Sequence, residues 1–544
     1  MKPRRRVEIP EETRRLAMKL YERKPTVAYK MAIELGDVFE DSDFEDLFPR
    51  KGQRGISPAI LATIVVLQST EGLTDRQAEE ATRSRVDWKF ALGLPLEHPG
   101  IEHTVISEFR TRLLQGGADL RLLDKLLDEL KKRNLIKEKG RQRTDSTIVL
   151  SVARELNRLE RIGETMRNAL NGLFDEAPDF LRTVFKGEWH ERYGRPFFNM
   201  RLPKDSKERD KLAETIGKDG IELLNAIDSH KSSEVLSRIS EIEVLRKIWE
   251  QEFMIPPNEP PRLFKPEEMK PSAERIATPY DREARWSTKR NESWTGYKAH
   301  FTETCDEGLP QLITNVETTV ATVPDHNMLA VIHESLKKRA LLPNEHLVDR
   351  GYTNAESLVT SEKEYQVKVI GEITDDHSWQ AELKHGFNKA SFILDWEDKK
   401  AECPAGKTSM KWDTKENGNH HVRFSQKDCG KCSFRESCTN KTNSGRQLNL
   451  LPQEHEQALQ AARARQKTEE FKKAYTQRAG VEGLISQAVM RCGLRRSPYV
   501  GLAKTGLHHV LIAVAINVTK FTEWCVGTKR AKTRKPRFAA LQVA

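Results

Sequence analysis

Three carboxylates and four thiols carry the chemistry that this sequence offers. Asp145 stands at the start of a β-branched run, Thr144-Asp145-Ser146-Thr147-Ile148-Val149-Leu150, that reads as a strand. Asp349 closes the short strand Glu345 to Val348 and precedes Gly351-Tyr352 and a helix. Aspartate is unfavourable in strands, so each position invites a reason. The plain reasons are a solvent-facing residue at 145 and an ordinary strand-to-helix turn at 349. The third acid lies on a helix. At about 100° per residue, Val481, Leu484, Ile485, Ala488 and Cys492 form one apolar stripe, and Tyr475, Arg478 and Glu482 run along its flank. That flank reads either as an Arg478–Glu482 border salt bridge or as the edge of a helix aiming a carboxylate into a cleft. Three carboxylates from two strands and a helix supply the hard oxygen ligands that two Mg²⁺ ions need. Such an ion pair activates a water or hydroxyl and stabilises the leaving oxygen in phosphoryl transfer.

The thiols point to a different metal. Cys403, Cys429, Cys432 and Cys438 are spaced C-x25-C-x2-C-x5-C within a polar, turn-rich segment rich in Lys and Asn, residues 373–452. A Cys-x2-Cys pair presents two thiolates to one tetrahedral ion, and two more close the shell of a structural Zn²⁺. A segment with little core would draw folding energy from that metal. Reduced, unligated cysteines are the alternative, and His420 and His421 are near enough to substitute as ligands. Cys305, Cys492 and Cys525 are isolated and read as packed residues.

Positioning these groups needs an α/β scaffold with insertions. The first 135 residues read as helical, with an apolar run in Pro58 to Ser69, a capping sequence at Thr74-Asp75-Arg76-Gln77, and a further helix from His103 to Leu114. Arg83, Arg85, Arg110 and Arg112 lie between apolar positions, as in a helix-turn-helix-like DNA reader or a plain helical bundle. A charged helical stretch follows from Ala153 to Phe253, and residues 256–279 hold seven of the 24 prolines, which marks a connector. Gly296 to Thr304 and Gln311 to Thr319 read as a β-hairpin about Asp306-Glu307-Gly308. A helix from Asp325 to Lys338, the strand before Asp349, a helix from Asn354 to Glu362 and a strand from Gln366 to Ile370 come next. Helical periodicity resumes from Glu454 to Cys492 with one break, and a last helix covers Leu507 to Trp524. Strands joined by helices indicate an α/β sheet.

Length and charge limit the classes. The 544 residues exceed one ordinary domain, and 37% hydrophobic residues suffice for cores. Lys and Arg number 91 against 81 acids, a net charge of +10 that suits a polyanionic partner. The longest apolar stretch, Val510 to Val518, is too short to span a bilayer, and no apolar signal region follows the N-terminus. The expected setting is therefore intracellular and soluble.

Thr144-Asp145-Ser146-Thr147, Asp349-Arg350-Gly351-Tyr352 and Tyr475-x-x-Arg478-x-x-x-Glu482 resemble the three acidic motifs of DDE transposases of bacterial insertion sequences, most closely the branch numbered eleven-eighty-two. Gly296-Tyr297-Lys298 and Arg495-Arg496-Ser497-Pro498-Tyr499 are similar to that family as well. The resemblance implies an RNase H-like core with Asp145, Asp349 and Glu482 as catalytic ligands of two Mg²⁺ (or Mn²⁺) ions. It also implies that double-stranded DNA is the partner, both the terminal inverted repeats of an element and the target, with a homodimer assembling on DNA in the bacterial cytoplasm at the nucleoid. Tyr475 and Arg478 would contact the terminal DNA. One position departs from the pattern: Val489 stands where relatives carry a lysine seven residues after the glutamate. Its phosphate contact would fall to Arg491, Arg495, Arg496 or Lys504.

The expected organisation is a helical DNA-binding domain (1–135) and a discontinuous core (136–152, 281–372 and 453–525). The core is interrupted by a helical insertion with its Pro-rich connector (153–280) and by a zinc-binding insertion (373–452), and a basic tail (526–544) follows. Two rival readings stay open: an RNase H-like nuclease without strand transfer, and a catalytically silent DNA-binding descendant of a transposase. Among lesser candidates, Asp281, Glu283 and Arg285 read as a surface ion-pair group or, alternatively, as residues that position DNA or the catalytic carboxylates, Asp325-His326 as a helix cap, and Trp286 and Trp294 as packing or base-stacking residues.

Overall fold

The computed structural model of the chain describes residues 9–49, 55–256, 259–289 and 291–528. Most of the basic tail, from residue 529 on, lies outside the described residues.

The N-terminal quarter is helical. Helix α1 (Pro58–Glu71) starts where the Ser57 hydroxyl accepts the Ile60 N–H and where proline occupies the first turn, and it stops at Gly72, whose φ is +67°. Its residues are apolar all round, so it is buried all round. Helix α2 (Asp75–Ser84) opens on a Thr74/Gln77 capping box, followed by α3 (His103–Gln115) and α4 (Arg121–Lys132).

Six strands form one mixed sheet. They are β1 (Lys139–Leu150), β2 (Arg285–Lys289), β3 (Glu292–Thr304), β4 (Ile313–Val320), β5 (Pro343–Val348) and β6 (Lys368–Ile370), in the order β2–β3–β1–β5–β6, with β4 continuing the β2 edge along β3. The β1–β3, β2–β3 and β3–β4 pairs are antiparallel, and β1–β5 and β5–β6 are parallel. Between β1 and β2 run helices including α5 (Arg158–Glu176), α6 (Ser206–Asp228) and α7 (Ser240–Glu252), which close over their own core around Ile162, Leu223, Leu245 and Trp249. Helix α8 (Met328–Lys338) joins β4 to β5, and α9 (Ala355–Tyr365) joins β5 to β6. Residues after β6 build a three-stranded sheet (Lys411–Thr414, His420–Arg423, Gln447–Leu450) around Val422, Phe424, Leu448 and Leu450. The chain then returns through α10 (Gln453–Arg465), α11 (Glu469–Thr476), α12 (Gly480–Cys492) and α13 (Leu502–Cys525).

Three sequence expectations change. β1 begins at Lys139, so Asp145 sits mid-strand rather than at its start. The basic residues ahead of it in the same strand are paired within the sheet, Arg141 with Glu345 at 2.6 Å and Arg143 with Glu303 at 2.6 Å. The stretch from 454 to 492 breaks twice, after Arg465 and in the 3-10 turn Gln477–Ala479. Helix α13 is longer than expected: its 24 residues are long and apolar enough to cross a membrane by length and composition, yet 72% of its apolar window is buried inside the protein. It is the central core helix. One side packs on β4, where Asn517 accepts the Ile313 N–H (2.7 Å) and donates to the Ile313 carbonyl (2.8 Å). The other side packs against α1 and α4, so the N-terminal helices and the sheet share one continuous core.

Candidate active site

The sheet register brings the two aspartates together. Thr144 pairs with Val348 in parallel, so Asp145 and Asp349 follow as neighbours on adjacent strands where β5 ends. Each spends one oxygen on a local amide: Asp145 Oδ1 accepts the Ser146 N–H (2.7 Å), and Asp349 Oδ1 accepts the Arg350 N–H (2.8 Å). The third acid comes from the first turn of α12, which packs on β1. Between them stands a cation. Arg478, in the turn ahead of α12, places Nη1 3.3 Å from Asp145 Oδ2 and Nη2 2.9 Å from Glu482 Oε1. The Arg478 and Asp145 side chains are only 15% and 16% exposed, whereas Glu482 is 63% exposed, so the first ion pair is shielded and the second is open to water.

The electrostatics follow from that packing. Burial pushes the Asp145 carboxyl above its usual range; the Ser146 amide and Arg478 oppose this, and Asp349 reinforces it. Burial works against the Arg478 charge, yet Tyr475, Asp145, Asp349 and Glu482 together hold its guanidinium above the usual value. Tyr475 is half-buried and stacks on Phe471 with ring centroids 5.5 Å apart, while the Arg478 guanidinium lies 5.6 Å from its ring centre. Burial raises its hydroxyl to about 12.

The opposite face of β1 carries a second polar group that sequence reasoning missed. Asp325, expected as a helix cap, instead accepts from Ser146 Oγ (3.0 Å) and Lys298 Nζ (2.9 Å). Burial acts to raise its carboxyl, but Lys298 and its neighbours bring it below the usual range. The signal lay in Gly296-Tyr297-Lys298, whose lysine reaches it. Thr144 on the same face meets His346 (2.7 Å), which meets His333 (2.8 Å). Asp281 is not a surface residue either: it is fully buried and accepts from Ser151 Oγ (2.6 Å) and Tyr297 OH (2.7 Å). Glu283 caps α13 through the Leu502 N–H (2.8 Å). Trp294 is buried, and Trp286 is exposed.

The proposed phosphate-contact residues separate. Arg495 is exposed and reaches Thr147 Oγ1 (3.4 Å), two residues along β1 from Asp145 and on the same face. Its carbonyl accepts the Leu150 N–H (2.8 Å), which adds this loop to the end of β1. Arg496 is exposed beside it. Lys504 instead lines a cavity with Arg110 and Tyr499 between α3 and α13, and Arg491 faces Glu523 at 4.0 Å. Val489 is half-buried against the main core, a setting unsuited to lysine.

All four clustered cysteines line one cavity with Phe424 and Arg446. Backbone amides donate to two of the sulfurs, Lys407 N to Cys403 Sγ and Arg446 N to Cys429 Sγ, each at 3.4 Å. Burial pushes the Cys438 thiol up to about 11; Arg446 opposes this, and the other three cysteines add to it. His420 packs between Trp396 and Trp412 and bonds Thr414 Oγ1 (3.0 Å). Among the described residues, no three His, Cys, Asp or Glu side chains form a ready metal-holding group. At the acidic site Arg478 is held by two carboxylates, Asp145 and Glu482, hard oxygen donors of the kind that divalent ions take.

The family described as Transposase DDE domain matches residues 402–522, and the Transposase domain (DUF772) matches residues 19–112. The first span contains Tyr475, Arg478, Glu482 and the four clustered cysteines, while Asp145 and Asp349 lie between the two spans. No curated protein and no solved structure matches the chain.

Proposed function

Since the chain belongs to the DDE transposases of insertion-sequence type, we propose that it binds the ends of its own element, cleaves there and joins those ends to target DNA. The mixed sheet with α12 and α13 is read as an RNase H-like core, and the branch numbered eleven-eighty-two as one that the chain resembles. The observation that supports this reading is the register that makes Asp145 and Asp349 neighbours on paired strands, together with the contacts of Arg478 with both Asp145 and Glu482. Asp145, Asp349 and Glu482 would hold two Mg²⁺ or Mn²⁺ ions, which when bound activate the attacking water or DNA 3′-hydroxyl and stabilise the leaving oxygen. The protein itself orients the DNA. Arg478 exchanges its carboxylates for a terminal phosphate, Tyr475 offers an aromatic face beside it, and Arg495 and Arg496 extend the basic rim. Lys504 belongs to the interface between α3 and α13 in this reading and serves DNA only through the N-terminal helices.

The remaining parts serve recognition and stability. The helical N-terminal region reads the inverted repeats, and two copies of the chain pair on DNA in the bacterial cytoplasm, at the nucleoid. Cys403, Cys429, Cys432 and Cys438 hold a structural Zn²⁺; their shared cavity and the two amide-to-sulfur contacts support that reading.

The test uses duplexes carrying the inverted repeats that flank the coding region. Asp145→Asn, Asp349→Asn and Glu482→Gln each remove one anionic ligand with little change of shape, so each should abolish Mg²⁺-dependent cleavage while leaving end binding intact. Cleavage surviving in any one variant removes that residue from the site. Cleavage without joining in the wild type would favour the nuclease reading.

A further inference from the structure

We propose that Arg143 is a positioning residue that fixes the turn and helix carrying Arg478 and Glu482 on the strand carrying Asp145. The inference rests on the reading of those acids given above and deepens it. Arg143 lies two residues before Asp145 on β1 and shares its sheet face. Its side chain is 4% exposed, and it does two things at once. Nε and Nη2 donate to Glu303 Oε1 at 2.8 and 2.6 Å, and Nη1 donates to the Gln477 carbonyl at 2.5 Å. Glu303 is fully buried and takes a second cation on its other oxygen, Lys520 Nζ at 2.7 Å from α13. One buried carboxylate on β3 thus locks a guanidinium of β1, and that guanidinium locks the turn that redirects the chain from α11 into α12.

Two further observations point the same way. Gly480, the first residue of α12, has an ordinary helical φ of −65°, so its glycine answers no need for backbone freedom. A Cβ there would instead collide with the Arg143 guanidinium. The turn is also tied a second time to the same strand, by Arg141 Nη1 donating to Gln477 Oε1 (3.3 Å). A planar fork with several fixed donors suits this task, because it spans a carboxylate and a carbonyl in one rigid geometry; a lysine ammonium offers one point charge on a flexible stem. Glu482 lies one turn of helix beyond Arg478 and is itself exposed, so its place relative to the aspartates depends on how firmly the start of α12 is held.

The test compares Arg143→Lys and the double variant Arg143→Gln/Glu303→Gln with the full-length wild type. The lysine keeps a cation on Glu303 but loses the fork. The double variant removes a buried charge together with its partner, which avoids an isolated buried carboxylate. Arg143→Lys should melt close to wild type, the double variant somewhat lower because Lys520 also loses its contact with Glu303, and both should bind end DNA normally and cleave about a hundredfold more slowly, the order expected for a displacement near 1 Å. Half-saturation in Mg²⁺ should rise about tenfold or more, since Mg²⁺ demands near-ideal ligand geometry. Amide hydrogen exchange across residues 475–485 should quicken while β1 stays protected. A residue that only stabilises the fold would shift melting and leave the Mg²⁺ dependence alone. Wild-type Mg²⁺ half-saturation together with wild-type exchange at 475–485 in either variant overturns the proposal. If the wild type shows no metal-dependent cleavage, the transposase reading fails separately. Exchange at 475–485 then decides the anchor: quickened exchange sustains it, and unchanged exchange overturns it.

Discussion

Replacing Arg478 by glutamine should tighten the binding of a divalent cation to the DNA-free protein, although Arg478 belongs to the same site. The guanidinium lies 3.3 Å from Asp145 and 2.9 Å from Glu482. Any metal ion that takes Asp145 must displace it. A hydrogen bond between charged groups contributes about 1.5–3 kcal/mol when shielded, and the Asp145–Arg478 pair is shielded, with both side chains near 15% exposed. The Glu482 arm is open to solvent and adds only a few tenths of a kcal/mol. Since about 1.4 kcal/mol is a factor of ten, the arginine should depress metal affinity by about ten- to a hundredfold. Its removal also leaves Asp145 and Asp349 repelling each other with no cation between them, which favours the metal further; both effects have the same sign. Free Mn²⁺ measured by electron paramagnetic resonance during titration of wild type, Arg478→Gln and Arg478→Gln/Asp145→Asn would read this directly. The single variant should bind Mn²⁺ more tightly than wild type, and the double variant should lose the gain. Unchanged or weaker Mn²⁺ binding by Arg478→Gln would refute the idea that the guanidinium holds the metal position. End DNA should bind Arg478→Gln less well, because a phosphate competes for the same guanidinium; metal and DNA affinity should therefore move in opposite directions.

Gly296→Ala should destabilise the fold by about 3 kcal/mol, because a Cβ there would run into the Val149 carbonyl on β1 at a φ of +155°; a melting curve within experimental error of wild type would contradict this. Thermal stability should fall as pH drops from about 6.5 towards 4. Burial holds His333 and His508 down to about 4 and His509 to about 3, so the unfolded chain binds protons that the folded chain does not. These histidines contribute fully above the ordinary value of 6.5, and a pH–melting profile flat across that window would count against their neutral burial. Cys432→Ser should lower zinc content and raise proteolysis within residues 373–452; stoichiometric zinc persisting in the variant, or none in carefully prepared wild type, would remove the zinc site.

Much of the local scaffold was legible because it is written in short-range chemistry. The Thr74/Gln77 capping box, the hairpin about Asp306-Glu307-Gly308, the apolar stripe from Val481 to Cys492 and the β-branched run after Asp145 all depend on residues within a few positions of each other. The acidic motifs were legible for the same reason: residue type and spacing survive without knowledge of the fold. Long-range pairing was not legible. Arg141 and Arg143 are strand residues whose partners, Glu345 and Glu303, lie on other strands, 204 and 160 positions away in sequence.

By itself the sequence determined that three acids, a flanking Tyr–Arg pair and four cysteines exist at particular spacings on particular elements. Only tertiary structure decided who meets whom. The parallel register of β1 and β5 makes Asp145 and Asp349 neighbours, and no local pattern specifies a register between strands that far apart. Asp325 became a partner of Ser146 and Lys298 rather than a cap for the same reason. The last helix, with its apolar run around Val510 to Val518, was legible, but not what it packs against. In the folded chain α13 lies between β4 and the N-terminal helices, so removing residues 1–135 would strip one wall from the core. Burial of an apolar face is non-directional, and the sequence can demand it without naming the surface that supplies it.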